Sequence, residues 1–173
     1  MGYSPSQVGR VFLIVPAIMV LGSPLGGWIY DRYHFRYNSA LGIIIVAVSL
    51  LFMGSGIGRD DLSSIHLSFV IMGLGSMLFQ SPINTEIMTA LPKEMLGTAS
   101  SLSSAVRNMG MSLGVSISTL LLSLQLNIAG YHGAVLDAKP ELLSLAISNV
   151  MIIAAALCIL GAAAALLRNR DGG

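Results

Sequence analysis

The sequence predicts an all-α membrane protein with five transmembrane helices, forming one helical domain over residues 1–173. Three observations carry that prediction. Charged residues make up 10% of the chain, against roughly 25% in a typical soluble domain. Nine basic and eight acidic side chains cannot cover the surface of a soluble core. Apolar residues make up 54%, with a mean hydropathy of +0.80. These residues are gathered into five long runs, and a helix needs about 20 predominantly apolar residues to cross a hydrocarbon layer of about 30 Å. Barrel strands would be about 10 residues long and alternate in polarity, which these runs do not.

The first span is expected at about residues 8–30. Ahead of it, Ser4 can cap, Pro5 suits the first helical position and Gln7 can reach back, so the helix starts near Pro5 with its first turns at the interface. The run is too long for the apolar part of a signal peptide and carries Pro16 and Pro24. The second span is expected at 38–57 and the third at 67–90, interrupted only by Glu86. The fourth, at 96–124, carries Arg107 and belongs to an over-long run whose last turns leave the membrane or tilt. The fifth is expected at 145–167. Pro16, Pro24 and Pro82 mark kinks or interruptions. Gly22-x-x-x-Gly26 and Gly110-x-x-x-Gly114 read as small-residue packing faces.

Several function classes find no support. Cys158 is the single cysteine and sits in an apolar run, so no disulfide framework forms within the chain. His34, His66 and His132 fall in predicted loops without metal-ligand spacing. There is no P-loop, no Ser/His/Asp arrangement and no paired-carboxylate site. The expectation is a protein that is not an enzyme and uses neither metal nor cofactor. A net charge of +1 gives no reason to expect a nucleic-acid partner. The ten methionines suit packing or lipid contact, or else an adaptable site for varied ligands.

Orientation follows from the basic residues. One side of the membrane receives Arg32, Arg36, Lys93, Arg168 and Arg170; the other receives Arg10, Arg59 and Lys139. The richer side is expected to be cytoplasmic. That places the N-terminus outside and the C-terminus inside, and it hints at further chain before Met1.

The stretch Gly27-Trp28-Ile29-Tyr30-Asp31-Arg32-Tyr33-His34-Phe35-Arg36 resembles the cytoplasmic loop motif of the major facilitator superfamily, G-x-x-x-D-R-x-G-R/K-R/K. Gly27, Asp31, Arg32 and Arg36 match. His34 replaces a glycine and Phe35 a basic residue. An acid just past a helix C-terminus faces the wrong end of the dipole and needs a partner. The resemblance implies a charge clasp that biases which side of the transporter is closed. The other reading is that these charges only fix topology. Further on, Ser81 to Met88, then Pro92-Lys93-Glu94-Met95-Leu96-Gly97-Thr98-Ala99-Ser100, then Arg107-Asn108-Met109-Gly110-Met111-Ser112-Leu113-Gly114, look like the late segment of the fourteen-helix drug:proton antiporters, the EmrB and QacA family. This likeness covers nearly the whole chain. It implies part of the C-terminal half of a major facilitator fold, with the five helices as the last five of a longer protein.

On the fourth helix, Ser100, Ser103, Ser104, Arg107, Met111, Gly114 and Ser118 form one stripe, with Leu102, Val106, Met109, Leu113, Ile117 and Leu120 opposite. A polar stripe on a membrane helix is expected to face protein or water. Arg107 lies about 15 Å along the axis from the start of the run. An arginine there costs a few kcal/mol or more unless paired or hydrated. Glu86 is the other charge inside a predicted span, so a Glu86–Arg107 pair is expected, acting in proton coupling or gating. The alternative is a structural ion pair, or snorkelling of Arg107 to a headgroup. Asn84, Ser104 and Asn108 are candidates for lining a pathway.

The resemblance implies a segment of a proton-coupled exporter of drug-like compounds in a bacterial inner membrane. Its partners would be the bilayer, the substrate, protons and the N-terminal helices of the same transporter. A stand-alone, non-transporting membrane protein, such as a scaffold or assembly partner, remains the alternative, and self-association into a multi-chain transporter is a third reading.

Overall fold

A computed structural model describes residues 5–33, 38–58, 62–89 and 91–171. The chain is all-α. The helices, in order, are α1 (Pro5–Phe12), α2 (Ile14–Tyr33), α3 (Asn38–Gly58), α4 (Leu62–Thr89), α5 (Leu96–Ile128) and α6 (Pro140–Asp171). Short 3-10 turns at Lys93–Met95 and Val135–Asp137 precede α5 and α6.

α1 and α2 form one broken rod. The Leu13 amide donates to the Gly9 carbonyl at 3.2 Å and the Ala17 amide to the Leu13 carbonyl at 3.0 Å, so the ladder continues through the break. The cause is local. Pro16 has no N–H for the Phe12 carbonyl four residues back, and its ring crowds that carbonyl. The interruption therefore falls at Leu13, between the two helices. With that rod counted once, the described chain has five rods.

Four of them, over Ser39–Ile57, Ser63–Thr85, Lys93–Ile128 and Pro140–Leu166, are long and apolar enough to cross a membrane. The first rod contributes a shorter apolar stretch, Gly9–Gly22. Several helices outrun the apolar runs: α4 begins at Leu62 and α6 at Pro140. Pro140 sits at a first helical position, where the missing amide hydrogen costs nothing.

α3 is the centre of the bundle, packed along α4 on one side and α6 on the other. α2 lies against α4. Small residues set these distances. Ala40 and Ala47 on α3, and Ala146, Ala155 and Ala162 on α6, are buried. At the α3–α4 crossing, a Cβ on Gly42 would lie 2.6 Å from the Phe79 amide nitrogen, closer than real Cβ atoms come. Where lipid removes the hydrophobic drive between helices, such close backbone approach supplies the packing energy. α3 and α6 are also tied by the Ser148 hydroxyl, which donates to the Gly54 carbonyl at 2.7 Å. Phe12 meets Phe69 edge-on at 5.5 Å, holding α1 to α4.

α5 is different. It touches α6 and meets α4 only lightly. Ala99 and Leu126, near its two ends, are its buried residues. From Ser104 to Leu120 every residue is exposed. Its C-terminus ends in a Schellman motif: Tyr131 N–H donates to the Leu126 carbonyl at 2.9 Å and Gly130 N–H to the Asn127 carbonyl at 3.0 Å. Gly130 takes φ +81°, a left-handed conformation that glycine adopts without strain. Tyr131 then packs with Leu122, Val135, Leu142 and Leu143 around buried Leu126, Ala138 and Ala146.

Two packing expectations change. The face Gly110-x-x-x-Gly114 packs against nothing in the described chain, since no atom lies within 4 Å of a Cβ placed at either glycine. The close contacts between helices belong to Gly22, against Met77 of α4, and to Gly42, Gly73 and Gly75. Asp31 lies inside the last turn of α2, which runs to Tyr33, rather than past the helix end.

Candidate functional site

α4 and α5 diverge from their short connection and leave a cleft of about 470 Å³ between them. One wall is α4, with Phe79, Gln80, Ile83 and Ile87, continued by Leu91 just past the helix. The other is α5, with Leu102, Ser103, Val106 and Arg107. Gln80, Ile83 and Ile87 recur every three or four positions, so they share a helix face. Gln80 and Asn84, four apart, belong to the same side.

Arg107 closes one end of the cleft, and two amides grip it. Its Nη2 donates to Asn84 Oδ1 at 3.3 Å. The Gln80 amide, in the orientation its neighbours require, turns its oxygen to the guanidinium and accepts from Nη2 at 3.0 Å and also from Nη1. Eleven residues separate Arg107 from the start of α5, or about 16 Å at 1.5 Å per residue. A guanidinium at that depth must find polar partners or water. The amides supply dipoles but no negative charge.

The sequence-predicted site residues distribute as follows. Asn84 is bonded to Arg107, and its residue is exposed. Ser104 and Asn108 are exposed on α5, beside Arg107 in sequence. Glu86 lies on α4, but its side chain is outside the described residues. Gly27, Asp31 and Arg32 lie in the last two turns of α2 with side chains outside the described set, and Arg36 is outside it altogether. Gln80 escaped sequence reading because a search for a partner of arginine looks for an acid. The available signal was the Gln80/Asn84 pair at four-residue spacing in an otherwise apolar segment.

Past Arg107 the polar stripe on α5 leaves the cleft with α4. Gly114 and Ser118 face α6 across a smaller groove, of about 170 Å³, opposite Val150, Ala154 and Leu157. Farther along, the Asn149 amide donates to Gln125 Oε1 at 3.3 Å and joins α6 to α5.

Membrane-length helices packed through glycine and alanine, with an arginine held between two of them by amides, define a multi-pass membrane protein. The chain belongs to the Major Facilitator Superfamily, whose family model matches residues 1–115. It is 30% identical over 138 residues to the uncharacterized transporter YebQ of Escherichia coli (strain K12), a match covering 80% of this chain and 30% of YebQ. It is 31% identical over 116 residues to the multidrug resistance protein Stp of Mycobacterium tuberculosis (strain ATCC 25618 / H37Rv), covering 67% of this chain and 21% of Stp. It is 29% identical over 113 residues to the riboflavin transporter RibZ of Clostridioides difficile (strain 630), covering 65% of this chain and 25% of RibZ. The chain spans less than a third of the length of these curated relatives. No solved structure matches the chain at a significant level.

Proposed function

We propose that this chain forms part of the C-terminal half of a secondary transporter that exports drug-like compounds in exchange for protons. The arginine gripped by Gln80 and Asn84 in the α4–α5 cleft carries this reading. A cation at membrane depth beside an open cavity is expensive to keep, and such groups mark substrate or ion paths in membrane proteins. The multidrug resistance protein among the relatives supports export of varied compounds. The riboflavin transporter keeps a single heteroaromatic substrate in view. Within this reading the protein is of the fourteen-helix drug:proton antiporter type and lies in a bacterial inner membrane, N-terminus outside and C-terminus cytoplasmic. Gly27, Asp31, Arg32 and Arg36 form the cytoplasmic charge clasp. Glu86 carries the coupling proton near the inner end of the path, and Asn84, Ser104 and Asn108 line it.

Five rods do not enclose a central cavity. Families of this kind pair two pseudo-symmetric halves around one, so the chain works with further helices that cover α5. Everted vesicles holding the native transporter test the coupling. Substrate added to respiring vesicles is expected to dissipate the imposed pH gradient, and Glu86→Gln to abolish that response while leaving membrane abundance unchanged. A full response in the variant would remove Glu86 from the mechanism. A second reading is a stand-alone scaffold or assembly partner. The self-contained α3–α4–α6 packing favours it, and a pH gradient untouched by every compound tried would select it.

A further inference from the structure

We propose that the α4–α5 cleft is a receptor for an amphiphilic anion, whose carboxylate, sulfonate or phosphate meets Arg107 while its apolar body lies on Phe79, Ile83, Leu102 and Val106. The inference rests on the transport reading for the use of the site, though not for binding itself. Charge balance is its first support. Among the described residues that line the cleft, Arg107 is the one cation and there is no acid. Its described partners, Asn84 and Gln80, are neutral. They orient the guanidinium without cancelling its charge. A guanidinium has five N–H donors in a planar fork, and the described bonds engage only its two terminal nitrogens. An anion arriving from the cleft completes the fork in the bidentate manner that arginine favours.

Shape is the second support. About 470 Å³ lies within the range of small-molecule sites. The walls are mostly isoleucine, leucine, valine, alanine and phenylalanine, with Ser103 among them and Gln80 beside Arg107. A small polar anion would leave those walls wet, and an uncharged apolar compound would not engage the Arg107 fork. An amphiphile with one anionic group satisfies both. Such a molecule comes from two sources, an anionic lipid or a soluble compound.

The test uses the purified chain in phosphatidylcholine nanodiscs, with empty discs as the blank. The probes are 8-anilinonaphthalene-1-sulfonate and its uncharged counterpart N-phenyl-1-naphthylamine. Saturable binding of the sulfonate is expected, about 10-fold or more tighter than the uncharged probe. Arg107→Gln is expected to erase the difference, and Arg107→Lys to keep the charge but lose part of the affinity. Val106 is exposed, so Val106→Trp fills the cleft without disturbing a core; it is expected to block the sulfonate even if Arg107→Gln fails to fold. Equal affinity for the two probes, or unchanged sulfonate binding in the Val106→Trp chain, would overturn the proposal. Replacing about one lipid in five with phosphatidylglycerol separates the sources. Displacement of the probe assigns the receptor to lipid, and retention assigns it to a soluble amphiphile. Charge-selective binding without export by the native transporter would sustain the receptor and remove the transport reading; export without it would do the reverse.

Discussion

The backbone of Gly42 in α3 rests on that of Gly75 in α4. A Cβ on Gly42 would lie 2.8 Å from the Gly75 carbonyl oxygen, and one on Gly75 would lie 2.9 Å from the Gly42 carbonyl oxygen. Backbone atoms cannot rotate aside as side chains can, so an added methyl must push the helices apart. Gly75→Ala is expected to cost about 1–3 kcal/mol, the usual penalty of overpacking. Gly161→Ala is the control, because nothing described lies within 4 Å of a Cβ there. Denaturant titration in detergent, followed by circular dichroism, should show a lowered midpoint for the first variant only. Equal midpoints would mean that the α3–α4 contact is not close.

The Ser148 hydroxyl bridges α6 to the Gly54 carbonyl of α3. Hydrogen bonds between membrane helices contribute about 0.6 kcal/mol on average and reach about 1.7. Ser148→Ala should therefore lower stability by roughly 0.5–1.5 kcal/mol in the same titration. Ser116→Ala provides the contrast, since the described bond of Ser116 runs within its own helix, to the Ser112 carbonyl. An equal loss from the two would assign Ser148 no interhelical role.

Gly130 closes α5 at φ +81°. Any residue with a Cβ pays about 1–2 kcal/mol for the left-handed conformation. Asparagine tolerates it better than a β-branched residue does. Gly130→Val is expected to destabilise the 131–143 cluster, and Gly130→Asn to retain much of the stability. Protection of the Leu126 and Tyr131 amides against hydrogen exchange reports the outcome. Unaltered protection in Gly130→Val would show that the helix end does not depend on the Schellman turn.

Gln80 and Asn84 hold Arg107 from α4. Replacing either by leucine leaves fewer acceptors for a charge in an apolar cleft, at about 1–3 kcal/mol for each hydrogen-bond partner removed. The double variant should lose less than the sum once Arg107 is changed to Met, because the stranded charge is then gone. A thermal-melt cycle across the three positions in detergent measures that coupling. Strict additivity would mean that the amides do not act on Arg107.

Much of the bundle was legible from hydropathy. Runs of about twenty apolar residues mark where a chain crosses lipid, and α3 and α6 lie over two of them. Pro16 marked the break in the first rod through the amide it lacks. The helix ends were less legible. Hydropathy senses the solvent, while backbone hydrogen bonding carries α4 back to Leu62 and α6 back to Pro140. The Gly42–Gly75 contact joins positions 33 apart in sequence, and no local spacing announces it. At the site, the arginine and Asn84 stood out as polar groups in apolar helices. Gln80 did not, because the reading sought an opposite charge rather than an amide.

The sparse packing of α5 has a consequence for biosynthesis. A helix enters the bilayer from the insertion machinery largely on its own hydrophobicity, and an arginine near its centre disfavours that step by about 2.5–3.5 kcal/mol. α4 emerges from the ribosome before α5 and already carries Gln80 and Asn84. If α4 waits beside the lateral exit, its two amides meet Arg107 as that residue leaves water, and the pair enters lipid as a hairpin. The grip seen in the finished bundle thus doubles as an escort during synthesis, and a chain with α4 deleted should leave α5 stranded outside the membrane.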